Sequence, residues 1–154
     1  MKLRPLTGRF TPNFEIAFNP THSTFVVPNS TNRLYIRDII NGHIVATLVG
    51  HEKAATAAIF TPDGAQLISG SFDGAIRIWD TTTGAQVKVL TGHKSPVWCL
   101  DVSGDGKKLV SGSGRSQGGF RPEEPNRDDD NTVRLWDLSS GKQIAILQYE
   151  RQGE

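Results

Sequence analysis

"LISGSFDGAIRIWD", residues 67–80, decides the fold, because most of it is written again further along the chain. Residues 109–113 read "LVSGS" and residues 130–137 read "DNTVRLWD", with a detour between them. Sliding the chain on itself by 42 residues extends the match: Leu6-Thr7-Gly8-Arg9 falls on Leu48-Val49-Gly50-His51, and that on Leu90-Thr91-Gly92-His93. Phe18 and Pro20 fall on Phe60 and Pro62, Asp38 on Asp80, and Gly42 on Gly84. The step from Ser69 to Ser111 is again 42, but from Trp79 to Trp136 it is 57, so the third copy carries 15 extra residues. Repeats in this period range signal architectures in which each unit buries its apolar face on the next.

Each copy reads as strand throughout. Phe14, Ile16 and Phe18 alternate with Glu15 and Ala17, and Trp98, Leu100 and Val102 alternate with Cys99 and Asp101, the two-residue period of a sheet. A Pro- or Gly-containing turn comes next ("NPTH", "TPDG", "SGDG"), then a short apolar run ("TFVV", "AQLIS", "KKLVS"). A third run ("RLYIRD", "AIRIWD", "TVRLWD") passes through a Gly-marked turn to a fourth ("HIVATLV", "AQVKVL", "KQIAIL"). Four short strands per unit, separated by turn signals and without helical spacing, form an all-β pattern.

Gly50-His51 leading to Trp79-Asp80, and Gly92-His93 leading to Trp136-Asp137, resemble the WD-repeat β-propeller family. The resemblance covers nearly the whole chain and is degenerate in the first unit, where Arg9 replaces the His and Arg37 the Trp. It implies a partial β-propeller of three four-stranded antiparallel blades, packed face to face around a channel. Residues 1–7 would be the last strand of a preceding blade. Residues 8–49, 50–91 and 92–149 would be the three blades, with an inserted loop at 114–129 and a tail at 150–154. The family pattern also implies a buried hydrogen-bond network in each complete blade: His51, Ser69, Asp73 and Trp79 in the second, His93, Ser111, Asp130 and Trp136 in the third. The first unit has Arg9, Val27, Thr31 and Arg37 at those places and cannot form it.

The same residue types could be taken for a hydrolytic triad, but a constellation written twice suits a structural repeat better than an active site. "GRSQG", Gly114 to Gly118, matches the G-x-S-x-G elbow, in which a strand and a helix strain the serine outward. The stretch directly after it is "GFRPEEPNR", with two prolines and no helical period. A hydrolase with Ser116 as nucleophile is therefore the alternative class, and the expectation is that the chain is not an enzyme. Gly112-Ser113-Gly114 lacks the third glycine of a dinucleotide loop, and Asp128-Asp129-Asp130 lacks the alternating spacing of a calcium loop. No cofactor and no metal are expected. Cys99, mid-strand in an inner position, reads as a small core hydrophobe, and Arg77 and Arg134 as residues that pack blades rather than react.

Composition narrows the class. Of 154 residues, 36% are hydrophobic and 21% charged, and the net charge is +1. A nucleic-acid protein would show a basic field, so no nucleic-acid partner is expected. No apolar run approaches the roughly 18 residues that span a bilayer, so no membrane partner is expected either. "MKLRPLTGRF" has basic residues but no apolar core behind them, unlike a secretory signal. The lone cysteine leaves no internal disulfide. The expectation is a cytoplasmic protein, with the nucleus as the other compartment. Asn29-Ser30-Thr31 would then be an idle match to a glycosylation pattern that matters in secreted chains.

The detour, "GRSQGGFRPEEPNRDD" from Gly114 to Asp129, has the composition of a flexible surface loop. Long loops on rigid scaffolds are frequent binding sites, although loop length alone costs little entropy and an insertion without a partner is tolerated. Arg115, Phe120, Arg121, Glu123, Glu124 and Arg127 are the candidate partner contacts, with Phe120 and Arg121 the strongest anchors by residue type. Three blades cannot close a ring that normally holds four to eight. The chain is then a fragment or C-terminal part of a larger propeller, one of two copies that complete a ring, or the complement of a different chain; the leading strand at 2–7 favours the first. The function expected is a non-catalytic scaffold for protein–protein interaction, its partners unidentified.

Overall fold

A computed structural model describes residues 16–27, 31–114 and 130–148. The leading strand expected before residue 8, the insertion from Arg115 to Asp129 and the tail all lie outside the described residues.

Twelve strands form three antiparallel sheets. The first sheet joins β1 (Ala17–Phe18), β2 (Thr24–Val26), β3 (Arg33–Asp38) and β4 (Ile44–Val49) in chain order. The second joins β5 (Ala55–Phe60), β6 (Gln66–Ser71), β7 (Ile76–Asp80) and β8 (Gln86–Leu90). The third joins β9 (Val97–Val102), β10 (Lys108–Ser113), β11 (Thr132–Asp137) and β12 (Gln143–Gln148). Each is a meander in which strands consecutive in the chain are neighbours in the sheet. This is a partial β-propeller.

Turn chemistry explains why the chain reverses where it does. At Thr61-Pro62-Asp63-Gly64, the Thr61 hydroxyl donates to Asp63 Oδ1 at 2.6 Å and Gly64 N–H closes on the Thr61 carbonyl at 2.8 Å. Ser103 and Asp105 repeat the arrangement in the third sheet, again at 2.6 Å. The aspartates that end the third strands cap the next turn: Asp80 Oδ1 accepts the backbone N–H groups of Thr82 and Thr83 at 3.0 and 2.7 Å. Asp38 Oδ1 accepts the Ile40 and Asn41 amides in its blade, and Asp137 Oδ1 the Ser140 amide and the Ser139 hydroxyl. Short polar side chains that bond the backbone two or three residues on are the ones that compete with strand and favour turns.

The core lies between the sheets. Val26, Leu34, Ile36 and Leu48 of the first blade pack on Phe60, Leu67 and Trp79 of the second. One repeat later, Ile68, Ile76, Ile78 and Leu90 pack on Val97, Leu109 and Trp136 of the third. A buried indole removes roughly 150–250 Å² from water, so one tryptophan per interface supplies much of the contact. Polar links reinforce the seams: Asn19 Nδ2 donates to the Gly64 carbonyl at 3.0 Å, and Lys88 Nζ to the Leu138 and Ser139 carbonyls at 2.9 and 2.8 Å.

Two positions on β9 differ from expectation. Cys99 is exposed rather than buried. It pairs with Gly112 on the face of the third blade that no further described blade covers, so the inner position has no core around it. The buried residue at the start of the strand is Val97, not Trp98. A register shift between Gly112 and Ser113 pairs Val97 with Ser113 and Cys99 with Gly112, leaving Trp98 in the bulge. Bulges displace one side chain and sharpen the local twist; the Trp98 ring is thereby aimed at Phe72, edge to face at 5.1 Å.

Candidate functional site

The two complete blades bring their polar residues together in the same way. His51 stands just ahead of β5, Ser69 lies in β6, Asp73 in the β6–β7 turn and Trp79 near the end of β7. The Trp79 indole N–H donates to Ser69 Oγ at 2.8 Å, Ser69 Oγ meets His51 Nε2 at 2.8 Å, and His51 Nδ1 meets Asp73 Oδ2 at 3.0 Å. In the third blade Trp136, Ser111, His93 and Asp130 repeat the chain at 2.8, 2.7 and 2.7 Å. Both serines are fully buried.

An indole N–H can only donate, so the serine oxygen accepts from it, leaving its own proton for histidine Nε2 and the Nδ1 proton for the carboxylate. Burial pushes the Asp73 carboxyl up, but the hydrogen bonds from His51 and from the Ala75 and Glu52 amides outweigh it and hold the group well below the usual carboxylate range. Burial likewise pushes Asp130 up and is outweighed by hydrogen bonds from the Thr132 hydroxyl, the Lys94 amide and His93. Burial lowers the His93 pKa, against the pull of Asp130, which suits the neutral imidazole.

Ser–His–Asp in this order is also the connectivity of a hydrolytic triad. Here the serine oxygen lies in the interior beneath an indole N–H, out of reach of a substrate, and its lone pair is already engaged. The arrangement orients strands. Glycine at the head of each motif lets it close: a Cβ on Gly50 would stand 3.0 Å from the Trp79 ring and 2.9 Å from Gln86 Oε1.

The blades differ in their arginines. Arg134 donates from Nε to Thr132 at 3.1 Å and from Nη1 to Gln143 at 2.7 Å, and Nη2 lies 3.4 Å from Asp130. Arg77 has Ala75 where Thr132 stands, and its buried Nε has no partner among the described residues. Reading the repeat for glycines and tryptophans passes over this Thr/Ala difference. In the first blade, Arg37 occupies the tryptophan's place, donates to the Gly42 carbonyl at 2.9 Å and lies 5.7 Å over the Tyr35 ring. Thr31 bonds the backbone of Arg33, and Arg9 lies outside the described residues.

The six candidate loop contacts, and Ser116, also lie outside them. The stems of that loop are described, and both are fastened to the segment after Gly92-His93. Gly114 N–H reaches the Pro96 carbonyl at 3.2 Å, the Trp98 indole reaches the Gly114 carbonyl at 3.0 Å, and Asp130 N–H reaches Ser95 Oγ at 3.2 Å. The insertion therefore leaves the blade beside the Gly-His segment. Among the described residues no cluster of His, Cys, Asp and Glu could hold a metal ion, and no helix is long and apolar enough to cross a membrane.

Stacked four-stranded meanders with a Trp–Ser–His–Asp chain in each complete unit define a repeat propeller. The chain belongs to the WD domain, G-beta repeat family, which matches residues 42–80 and 84–137, more than half of its length. Among curated proteins it is 33% identical over 63 residues to the serine-threonine kinase receptor-associated protein of Dictyostelium discoideum, covering 41% of this chain and 22% of that one. It is 43% identical over 42 residues to guanine nucleotide-binding protein subunit beta-5b of Danio rerio, covering 27% and 11%. A chain in the crystal structure of the mitotic checkpoint complex superposes with a TM-score of 0.71 at 20% identity, over 86% of this chain and 37% of that one. The chain thus spans a minor part of the length of each.

Proposed function

We propose that the chain is a non-catalytic scaffold for protein–protein assembly, working in the cytoplasm or nucleus, with the insertion at 114–129 as its partner-binding loop. The observation that carries the reading is the double network: in both complete blades the side chains that could do chemistry are spent on one another in the interior. Membership of the WD-repeat family supports it, as do the names of the similar proteins, a receptor-associated protein, a G-protein subunit and a component of a checkpoint complex. The loop stems are pinned to a rigid blade, the setting in which a long loop gains a recognition role.

The test is retention of partner proteins by the immobilised chain, wild type against Phe120→Ala/Arg121→Ala. A partner held by the wild type and released by the variant, with an unchanged β-sheet spectrum, supports the loop as the docking element. Equal retention by both removes the loop from the proposal. A hydrolytic activity abolished by Ser116→Ala would overturn the non-catalytic reading.

A further inference from the structure

The turn from the third strand to the fourth is written Asn41-Gly42 in the first blade, Thr83-Gly84 in the second and Ser140-Gly141 in the third. All three pairs do one job. The side-chain oxygen ahead of the glycine accepts the amide two residues on: Asn41 Oδ1 from His43 at 2.9 Å, Thr83 Oγ1 from Ala85 at 3.2 Å, and Ser140 Oγ from Lys142 at 3.3 Å. The glycines share a positive φ of 71°, 73° and 74°. Two caps are hydroxyls, which are inert there. The first is a side-chain amide, a chemically labile group.

An asparagine amide can be attacked at Cγ by the backbone nitrogen of the next residue. Asn41 is set up for that step. The His43 N–H already donates to Oδ1, the atom on which charge gathers as the new bond forms, which is the role of an oxyanion donor. The same peptide unit accepts from the Arg37 guanidinium, through the Gly42 carbonyl, at 2.9 Å, and hydrogen bonds in a chain strengthen one another. Approach is open as well: an added Cβ on Gly42 would meet nothing within 4 Å, and Asn41 and His43 are exposed. The Gly42 N–H bond to the Asp38 carbonyl, 2.9 Å long, must open first.

Three Asp-Gly pairs share the geometry without the reactivity. Asp63, Asp73 and Asp105 accept the amides of Ala65, Ala75 and Lys107 at 3.0, 2.8 and 3.0 Å. The Thr61 and Ser103 hydroxyls, with those amides, hold Asp63 and Asp105 below the usual carboxylate range. At Asp73 burial is outweighed by its hydrogen bonds. A carboxylate anion is a poor electrophile and has no ammonia to lose. Among the other described asparagines, Asn19 precedes Pro20, which lacks the N–H, and Asn32 and Asn131 precede Arg33 and Thr132, whose side chains crowd the attack.

We propose that Asn41 is a site of spontaneous modification, converted in the folded protein to aspartate and isoaspartate with loosening of β4. The Gly42 nitrogen bonds to Asn41 Cγ and gives its proton to solvent. The Cγ–Nδ2 bond breaks, and Nδ2 takes up a proton and leaves as ammonia. Water then opens the cyclic imide. Cleavage at the side-chain carbonyl gives aspartate; cleavage at the Asn41 main-chain carbonyl gives isoaspartate, with an extra carbon in the chain. That carbon lengthens the link between Arg37 and Ile44, which pair across the two strands. It therefore pulls on β4, whose Ala46 and Leu48 are buried in the joint with the second blade.

Ageing the 154-residue chain in mildly alkaline buffer tests this, beside Asn41→Thr and the urea-unfolded wild type. Peptide mapping with electron-transfer fragmentation locates each product and separates isoaspartate from aspartate. The folded wild type should gain both at position 41 and keep Asn19, Asn32 and Asn131 as amides. Its amide exchange in β4, Ile44 to Val49, should quicken as isoaspartate accumulates. Asn41→Thr, carrying the second blade's cap, should keep the exchange of fresh protein. An Asn41 that stays an amide in the folded chain overturns the proposal, and its loss in the unfolded chain alone would show that the turn shields it. So does earlier reaction at another described asparagine, or β4 exchange that isoaspartate leaves unchanged.

Discussion

Ser69 and Ser111 are the residues on which the two tryptophans and the two histidines depend. Replacing Ser69 with alanine leaves the Trp79 indole N–H and His51 Nε2 buried without the partner they share. Orphaned buried groups cost roughly 1–3 kcal/mol each, so Ser69→Ala should lower stability by about 2–4 kcal/mol in urea titration. Ala75→Thr should act in the opposite direction. It supplies the hydroxyl that Thr132 provides in the third blade, accepting from Arg77 Nε and donating to Asp73. A gain of about 1 kcal/mol is expected, read as a higher urea midpoint. Acid should weaken the fold in two steps. The folded-state pKa of His93 is lowered, so its contribution is complete above the unfolded value near 6.5 and is lost as pH falls below it. Asp73 and Asp130 are also lowered; their contribution is complete above about pH 4 and is lost below. The urea midpoint should fall as pH drops below about 6.5 and again below about 4, and His93→Gln should flatten the first step.

At the scale of the strands, the order and the turns are legible in the residues, but the local slips are not. Alternation in "AIRIWD" and "TVRLWD" and the caps at Asp80 and Asp137 are chemical statements that any reader of residues can make. The register shifts between Ile36 and Arg37, Ile78 and Trp79, and Leu135 and Trp136 are not. They recur at one place in every blade, because an extra residue on the fourth strand depends on partners that alternation does not specify. Trp98 departs from its expected place for the same reason: a bulge exchanges which of two adjacent apolar residues points inward. The β6–β7 turn shows how tightly elements of neighbouring blades meet. Gly74 has φ +79°, and a Cβ there would lie 2.9 Å from the His93 carbonyl oxygen. Gly74→Ala should therefore cost about 1–3 kcal/mol, seen as a lower thermal midpoint, because neither the turn nor the facing backbone can yield cheaply.

For the molecule as a whole, the period of 42 makes the propeller readable, since each unit writes both halves of a joint. The fate of Cys99 is not readable, because whether a strand position is core depends on a neighbour that the strand itself does not encode. The networks are legible only through family resemblance; composition alone allows a triad, and it is the depth of the serine oxygens that decides against a reactive role. The central claim is that a blade is held by its buried polar chain and by the tryptophan joint it makes with the blade before it. Amide hydrogen exchange compares a blade with both against one with neither. Exchange should be slower in β6 and β7, Gln66 to Asp80, than in β2 and β3, Thr24 to Asp38, where Val27 and Arg37 stand in place of the serine and tryptophan. Slower exchange in β2 and β3 would contradict the claim.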